Sequence, residues 1–347
     1  MNLDTVVIGV GNWGSKHVST LNTSSRLLGI FDKDQNKSKY ISKIYQCHNY
    51  KSIDEISKDS RVKNIFITSS ASTHFDLFEF FSKKNIKNFF IEKPICLRNS
   101  DLDIMKATIK NKNLKVCSGN LLHYHAGFQK VLSLIQNNQI GKVLSIKSYR
   151  QNFGKFRFEE DVIFSLMPHD LSMIFRILNN KSDDILNYEL FNSKFLLEHT
   201  DESRMYLLFK NNVQALVSAS WVSPTKRHEL IVLGESGIIS FKDSEENPNR
   251  KITLSKFDFD TISINETSKL LPKISSKEFI NYNSDVKPLQ NEIKYALKYF
   301  DGIEPSLHNS FDESYDITKF LLSLNKEQNV RTKTDIKKDN IINLIKK

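Results

Sequence analysis

Three glycines near the start of the chain have the spacing of a turn that binds a dinucleotide. Gly9, Gly11 and Gly14 follow the apolar stretch Thr5–Ile8 in a G-x-G-x-x-G pattern. The first glycine suits a tight turn, the second a close backbone approach to a pyrophosphate, and the third packing of the next helix. The pyrophosphate would lie at the helix N-terminus, next to Asn12 and Trp13. The alternative is an ordinary tight turn in another α/β protein.

A carboxylate follows at the distance expected of a ribose ligand. The second apolar segment, Leu27–Phe31, ends in Asp32, close to the roughly 20-residue spacing seen in dinucleotide-binding folds. An acid at this position accepts hydrogen bonds from both ribose hydroxyls and repels a 2′-phosphate. The sequence therefore predicts NAD rather than NADP as the cofactor, although Lys33 is a signal in the opposite direction.

Two later segments carry residues suited to acid–base chemistry. Glu92-Lys93-Pro94 ends a predicted strand, and a lysine there can neutralise or polarise a substrate oxygen. Taken alone, it is equally compatible with an exposed lysine before a turn. In Pro168-His169-Asp170 the proline predicts that a helix begins near Met167–His169, because proline inside a helix costs about 3 kcal/mol. His169 would then face a cleft from a helix N-terminus, the alternative being a packed core histidine.

Strands and helices alternate over the first 118 residues, which predicts a doubly wound parallel sheet. The predicted strands end at Ile8, Phe31, Thr68, Glu92 and Cys117. Ser52-x-x-Glu55 and Ser310-x-x-Glu313 are read as helix caps, as is Ser100. Because ligands bind at the carboxyl ends of parallel strands, the candidate residues above are expected at one edge of this sheet.

The pattern changes after residue 118. Helices are predicted at 127–138 and within 159–178, a long strand at Lys142–Phe153, and successive strands from Leu186 to Phe259 with turns at Asn211-Asn212 and Gly234–Gly237. Residues 260–285 are left unassigned. The fold class is therefore α/β, with an N-terminal Rossmann domain (1–118), an α+β domain with an open-faced, mostly antiparallel sheet for substrate and oligomerisation (119–330), and a peripheral C-terminal segment (331–347).

Composition excludes several classes of protein. The net charge of +10 comes from scattered lysines rather than from blocks interleaved with aromatic residues, so we expect no nucleic-acid partner. No apolar run approaches the roughly 18 residues that span a membrane, and no signal peptide is recognisable. Three cysteines without C-x-x-C spacing suit a reducing cytoplasm. His123 and His125 would share one face of a strand, but no third ligand is apparent and no metal is expected.

Taken together, these motifs resemble the Gfo/Idh/MocA oxidoreductases over nearly the full length of the chain. The resemblance is carried by the glycine turn, Asp32, Thr68-Ser-Ser-Ala-Ser-Thr-His74, Glu92-Lys93-Pro94, Leu166-Met-Pro-His169-Asp-Leu-Ser172 and Lys287-Pro288-Leu289 with Glu292. The segment around His169 is most similar to members that act on sugars and nucleotide sugars in bacterial surface-glycan pathways. The resemblance implies hydride transfer between NAD and a sugar, nucleotide sugar or polyol.

Roles for individual residues follow from the resemblance. It implies that Lys93 and His169 are catalytic and flank the reacting oxygen. Cofactor contacts would come from Gly9, Gly11, Asn12, Trp13, Gly14, Asp32, Ser69, Ser70, His74, Glu92 and Lys93, and substrate contacts from Lys93, His123, Tyr124 and His169. Arg150 and Asn152, near the end of the strand Lys142–Phe153, are added as substrate candidates. One departure is Ser165, where many members carry an aspartate, so the proton path through His169 is expected to lack that carboxylate.

Two alternatives to a dehydrogenase remain open at this point. One is an NAD-dependent glycoside hydrolase of the same fold, and the other is a non-catalytic dinucleotide-binding regulator, which the loss of the aspartate at 165 makes conceivable. Retention of both Lys93 and His169 argues against the regulator. A homodimer or homotetramer is expected through the open face of the C-terminal sheet, because Val213–Trp221 and Leu230–Leu233 are apolar.

Overall fold

The computed structural model describes residues 3–154, 156–157, 160–264, 267–285, 287–305, 310–324 and 330–331. These residues form two compact units, one of 1–125 with 286–323 and the other of 126–285 with 324–347. Within the described part of the chain, no helix combines the length and the apolar character that crossing a bilayer requires. The predicted peripheral segment after residue 331 lies outside the described residues.

The first unit contains the predicted parallel sheet. Its six strands have the order β3-β2-β1-β4-β5-β6, and all neighbours run parallel. The strands are β1 (Thr5–Ile8), β2 (Leu27–Phe31), β3 (His48–Asn49), β4 (Asn64–Ile67), β5 (Asn88–Ile91) and β6 (Lys115–Ser118). The chain reverses its winding direction between β1 and β4, which is the position where such sheets bind ligands. The predicted doubly wound fold is confirmed.

Among the described residues, seven α-helices belong to this unit. They are α1 (Asn12–Thr23), α2 (Gln35–Tyr45), α3 (Ile53–Lys58), α4 (His74–Ser82), α5 (Asn99–Lys112), α8 (Pro288–Phe300) and α9 (Phe311–Ser323). The caps predicted at Ser52 and Ser310 are confirmed, since their hydroxyl oxygens accept the N–H groups of Glu55 (3.1 Å) and Glu313 (3.4 Å). The cap predicted at Ser100 is wrong, because α5 begins at Asn99 and Arg98 occupies the cap position, two residues before Ser100.

Successive residues of the strands pack alternately into two hydrophobic cores, one on each face of the sheet. Val6, Ile65 and Phe89 are buried on one face, together with Phe311 and Tyr315 of α9. Val7, Phe66 and Phe90 are buried on the other, with the apolar side of α8 from Ile293 to Phe300. The two C-terminal helices therefore belong to the first unit by packing, whereas the sequence had assigned them to the domain beginning at 119.

The second unit contains helices α6 (Ala126–Gln136) and α7 (Val162–Leu178) and a nine-stranded sheet ordered β14-β13-β12-β11-β7-β10-β9-β8-β15. The strands are β7 (Val143–Phe153), β8 (Ile185–Ser193), β9 (Glu202–Phe209), β10 (Gln214–Ser220), β11 (Val222–Gly234), β12 (Gly237–Lys242), β13 (Ile252–Ile264), β14 (Thr267–Phe279) and β15 (Val330–Arg331). Of the neighbouring pairs that the described residues form, β7–β10 and β8–β15 are parallel and the others antiparallel. The mostly antiparallel sheet and both predicted turns are confirmed, and the unassigned region contributes to the β13–β14 hairpin.

Helix α7 corrects the sequence interpretation around Pro168. The helix begins at Val162, where Asp161 accepts the N–H of Phe164 at 3.0 Å, and it continues through the proline. Val162, Ile163, Phe164 and Met167 are all nearly or completely buried before Pro168 is reached. Burial of four such side chains contributes about 1.5–3 kcal/mol each, which exceeds the cost of about 3 kcal/mol for an internal proline. His169 consequently lies within the helix, not at its N-terminus.

Candidate functional site

The glycine turn joins β1 to α1, and its three glycines have different tasks. Gly9 has a φ of +91°, and an added Cβ would lie 2.5 Å from the Cα of Ser69. A Cβ on Gly14 would lie 1.8 Å from the carbonyl oxygen of Gly9. A Cβ on Gly11 would meet nothing within 4 Å. Gly9 and Gly14 are therefore needed by the fold, whereas Gly11 leaves room beside the backbone for something that is not protein.

The N-terminus of α1 has the features of an anion-binding site. Gly11 is its cap residue, and no side chain caps the helix. The backbone N–H groups of Asn12 and Trp13, in the first turn, have no acceptor within the helix, and the helix dipole favours negative charge beside them. Trp13 is half-buried, with the ammonium of Lys16 lying 4.1 Å from the centre of its ring.

Asp32 ties the end of β2 to the glycine turn. Its Oδ2 accepts the N–H of Val10 at 2.7 Å, and its Oδ1 accepts the N–H of Asp34 at 2.9 Å. Each carboxylate oxygen has a second acceptor site, so both remain able to accept a ribose hydroxyl. The backbone contacts hold the carboxylate in one orientation beside the turn, which is the arrangement an adenosine ribose requires.

The loop after β4 closes over the same strand ends. The hydroxyl of Thr68 donates to the carbonyl oxygen of Gly9 at 2.7 Å, and Ser69 hydrogen-bonds to Thr73 at 2.7 Å. Ser70 is exposed. His74 is buried at the start of α4, with Nδ1 2.9 Å from the carbonyl oxygen of Pro94 and Nε2 3.0 Å from that of Ser69. Through His74 this loop is fastened to the segment that carries Lys93.

Glu92 and Lys93 follow β5 directly. His17 of α1 donates to Oε1 of Glu92 at 2.8 Å, and the backbone N–H of Lys93 donates to Oε2 at 3.2 Å. Burial alone would raise the pKa of the Glu92 carboxyl, but the hydrogen bond and charge of His17 and the charge of Lys93 outweigh it and hold that pKa below its ordinary value. Lys93 is half-buried. Its position at the carboxyl end of β5 agrees with the prediction.

His17 is a residue of this site that no motif in the sequence indicates. Its signal is a polar residue three positions after Gly14 on a helix face that is otherwise apolar, next to Val18 and Leu21, all completely buried. Such a residue needs a partner. The partner, Glu92, is 75 positions away along the chain, so no local pattern could identify it.

The segment around His123 differs from the sequence expectation. Leu121–Tyr124 is a 3₁₀ helix, so His123 and His125 do not share a strand face. His123 is buried, with Nε2 3.3 Å from Oε1 of Glu313, and the ring of Tyr124 lies 5.5 Å from that of Tyr295. Among the described residues, no three His, Cys, Asp or Glu side chains are grouped in a way that could hold a metal ion.

In the second unit, α7 is anchored on β7 by a buried ionic network. Asp170 is fully buried and accepts hydrogen bonds from Ser148 (2.6 Å) and from Nε and Nη2 of Arg150 (3.0 and 3.1 Å). The carboxylate of Asp170 thus serves Arg150, as expected from its projection away from His169. His169 itself is half-buried and Ser165 is buried.

Arg150, predicted as a substrate ligand, therefore has its charge balanced by an internal partner. Asn152 lies two residues further along β7, and an added Cβ on Gly154 would overlap its Oδ1. His228 of β11 lies opposite Arg150 in the antiparallel pairing of β11 with β7. No motif in the sequence indicates a role for this histidine. Burial, and then the positive charge of Arg150, lower the pKa of His228 from 6.5 to about 4, so this imidazole is neutral at physiological pH. Nothing in the local sequence marks it.

The first unit thus brings together most of the predicted cofactor residues at the carboxyl ends of β1, β2, β4 and β5. Gly9 and Gly11 follow β1, Asp32 follows β2, Ser69 follows β4 and Glu92 follows β5. The open space beside Gly11, the uncapped helix and the oriented carboxylate fit the pyrophosphate and ribose of a dinucleotide. Of the catalytic candidates, Lys93 belongs to this unit and His169 to the other. The individual ligand contacts stay predictions.

Comparison with known proteins agrees with this geometry. Residues 3–120 match the model of the Gfo/Idh/MocA family, described as an oxidoreductase family with an NAD-binding Rossmann fold. The chain is 23% identical over 230 residues to UDP-N-acetylglucosamine 3-dehydrogenase from Acidithiobacillus ferrooxidans, an alignment that covers 65% of this chain and 70% of that protein.

Solved structures show the same fold over nearly the whole chain. A crystal form of the Acidithiobacillus ferrooxidans enzyme matches with a TM-score of 0.77 at 18% identity, covering 93% of this chain and 96% of that one. GenD2 from gentamicin A biosynthesis, in complex with NAD, matches with a TM-score of 0.74 at 14% identity, covering 92% of each chain. The glycine turn, Asp32 and the Glu-Lys-Pro segment all lie within residues 3–120, the part of the chain that matches the Gfo/Idh/MocA family of NAD-binding oxidoreductases.

Proposed function

We propose that this chain is a dehydrogenase that moves a hydride between NAD and a ring carbon of a nucleotide sugar, with free sugars and polyols as the wider substrate class. The observation that carries the proposal is the position of Lys93, half-buried at the carboxyl end of β5 in the NAD-binding unit and held by its backbone N–H on Glu92. The name of the relative from Acidithiobacillus ferrooxidans supports a nucleotide sugar.

The proposed chemistry divides between two residues. When bound, NAD supplies the hydride acceptor. In the direction of oxidation, the neutral imidazole of His169 accepts the proton of the substrate hydroxyl while the hydride leaves the same carbon, so that a ketone forms. The ammonium of Lys93 stabilises the negative charge that develops on the oxygen, an interaction stronger in the transition state than in the ground state. Ser165 supplies no carboxylate to this path, and Asp170 is engaged by Arg150.

A spectrophotometric screen tests the proposal. Nucleotide sugars, free sugars and inositols are incubated with the protein and NAD⁺, and the absorbance of reduced nicotinamide is followed. We expect turnover with at least one nucleotide sugar, loss of that turnover in Lys93→Ala and His169→Asn, and little change in Ser165→Ala. Glycoside cleavage without net reduction of NAD⁺ would favour the hydrolase instead. NAD binding with neither reaction across the panel would favour a regulator.

We further propose that NAD is used in preference to NADP. The carboxylate of Asp32 is fixed by the N–H groups of Val10 and Asp34, so it cannot rotate away from a 2′-phosphate without losing both hydrogen bonds. Calorimetric titration should give weaker binding of NADPH than of NADH. Equal or tighter binding of NADPH would overturn this preference.

Assembly through the open face of the second sheet is also proposed. Tyr206 and Phe191 on this face are 47% and 43% exposed, and their rings pack edge to face at 6.1 Å. Aromatic surface of this kind favours pairing with a second copy. Analytical ultracentrifugation should show a dimer or tetramer that Tyr206→Arg weakens, and a wild-type monomer at micromolar concentration would contradict the proposal.

A cytoplasmic location is supported by Cys47, Cys96 and Cys117, which are all free thiols.

A further inference from the structure

One hydrogen-bonded pair in the first unit, the buried His17 and the partly buried Glu92, links the helix of the glycine turn to the segment that carries Lys93. His17 is 0% exposed, and its ring lies 5.1 Å from that of Phe90 and 5.9 Å from that of Phe66. Its Nε2 lies 2.8 Å from Oε1 of Glu92. A buried polar side chain in this position is costly unless its partner is in place.

The carboxylate of Glu92 is held from several sides. Oε1 accepts the hydrogen bond from His17, and Oε2 accepts the backbone N–H of Lys93 at 3.2 Å. An added Cβ on Gly119 would lie 2.6 Å from Oε2, so the absence of a side chain there makes room for the carboxylate. Glu92 therefore has little freedom to move, and it transmits that constraint to the backbone of the next residue.

We propose that His17 and Glu92 form a positioning pair that sets both the orientation and the charge environment of Lys93 relative to the helix on which the cofactor pyrophosphate would lie. The inference rests on the proposed role of Lys93. The hydrogen bond from His17 favours the ionised form of the partly buried Glu92 carboxylate, and the carboxylate in turn stabilises the neighbouring ammonium. The charged groups acting on Glu92 are His17 from α1 and Lys93 from its own segment, and their combined effect holds the pKa of Glu92 below its ordinary value.

A merely structural pair predicts different behaviour. If His17 and Glu92 only joined α1 to β5, their replacement would lower stability without changing the acid–base behaviour of Lys93. A positioning pair predicts that the ammonium of Lys93 loses a stabilising negative charge when Glu92 is neutralised. The pKa of Lys93 should then be lower than in the wild type, so that the reactive amine form appears at a lower pH.

The test measures acylation of Lys93 by acetic anhydride as a function of pH, read by mass spectrometry of the Lys93 peptide in the full-length protein. In Glu92→Gln the pH of half-maximal acylation should fall by about one unit. His17→Leu should give a smaller fall, because the carboxylate stays ionised at the alkaline pH of the measurement but loses the donor that fixes its orientation beside Lys93. His17→Gln places an amide donor near the original Nε2 and should restore more than half of the difference.

His48→Leu is the matched control. His48 makes the same kind of contact, 3.0 Å from Oε1 of Glu55, in the same unit, but both side chains are at least 40% exposed. This variant should leave the acylation profile of Lys93 unchanged. With an active substrate in hand, Glu92→Gln should also lower kcat by about tenfold to a hundredfold, since misplacement of a reacting group slows turnover.

Unchanged acylation of Lys93 in folded Glu92→Gln would overturn the inference, and if His17→Leu does not fold, Glu92→Gln and His17→Gln decide the matter. A lowered midpoint in Glu92→Gln, recovered in His17→Gln relative to His17→Leu, supports it. The outcome is separate from that of the proposed function, because acylation needs no substrate. Absence of turnover in the wild type contradicts the dehydrogenase while leaving this measurement decisive for the pair.

Discussion

Substitution of the three glycines of the turn should separate folding from cofactor binding. A Cβ on Gly14 would lie 1.8 Å from the carbonyl oxygen and 2.8 Å from the carbonyl carbon of Gly9, which are backbone atoms that cannot rotate away. Gly14→Ala must push α1 off the end of β1. Overpacking of this kind costs about 1–3 kcal/mol, and backbone overlap places it at the upper end. A loss of about 3 kcal/mol corresponds to roughly 6–12 °C in the Tm of a domain of 150–250 residues.

Gly11→Val should have the opposite effect. Its Cβ would meet no protein atom within 4 Å, and the φ of −64° at Gly11 is accessible to any residue, so the Tm should stay within about 2 °C of wild type. The added methyl groups occupy the space into which the pyrophosphate would come. Loss of two charge-assisted hydrogen bonds of about 1.5–3 kcal/mol each weakens binding by at least about 3 kcal/mol, or roughly a hundredfold.

The assay combines thermal unfolding with calorimetric titration of NADH for wild type, Gly11→Val and Gly14→Ala. Gly11→Val should unfold like the wild type and bind NADH at least about a hundredfold more weakly. The reasoning would be refuted if folded Gly11→Val bound NADH within about threefold of wild type, because a gap of only about 0.7 kcal/mol leaves no room for a lost pyrophosphate contact.

Three further outcomes follow from the same geometry. Asp170→Asn should lower the free energy of unfolding by about 3–5 kcal/mol in urea, because the buried guanidinium of Arg150 loses its counter-charge, whereas Asp183→Asn at an exposed position should change it little. Lys93→Ala should abolish turnover and leave the affinity for NADH within about threefold in titration, since the ammonium acts on the developing oxyanion. The pKa of His228 lies below its unfolded value, so the unfolded state takes up a proton first as the pH falls. Its contribution to stability is present above about pH 6.5 and declines towards pH 4, and urea unfolding of His228→Gln should show a flatter decline over that range, an equal decline contradicting the assignment.

Features of the fold that depend on residues close together in the sequence could be predicted. The glycine turn, Asp32 and the cap at Ser52 depend on residues only a few positions apart, and each was placed correctly. The strands of the first sheet could be read because both of their faces are buried, which gives continuous apolar runs.

Contacts between distant segments account for what the sequence did not reveal. The start of α7 was misjudged because the local penalty of Pro168 is visible in the sequence, whereas the burial that outweighs it is not. The apolar side of α8 packs with Phe66 and Phe90, more than 200 positions earlier, so its membership of the first unit could not be read locally. The pairing of His17 with Glu92 was hidden for the same reason.

Transfer of deuterium from a sugar to the cofactor tests the proposed activity most directly. Nucleotide sugars extracted from bacteria grown on perdeuterated glucose present every candidate C–H position as C–D without prior choice of the substrate. After incubation with the protein and NAD⁺, mass spectrometry of the reduced nicotinamide should show deuterium for the wild type and none for Lys93→Ala. A wild-type protein that binds NAD but yields no deuterated cofactor from this pool would contradict the account.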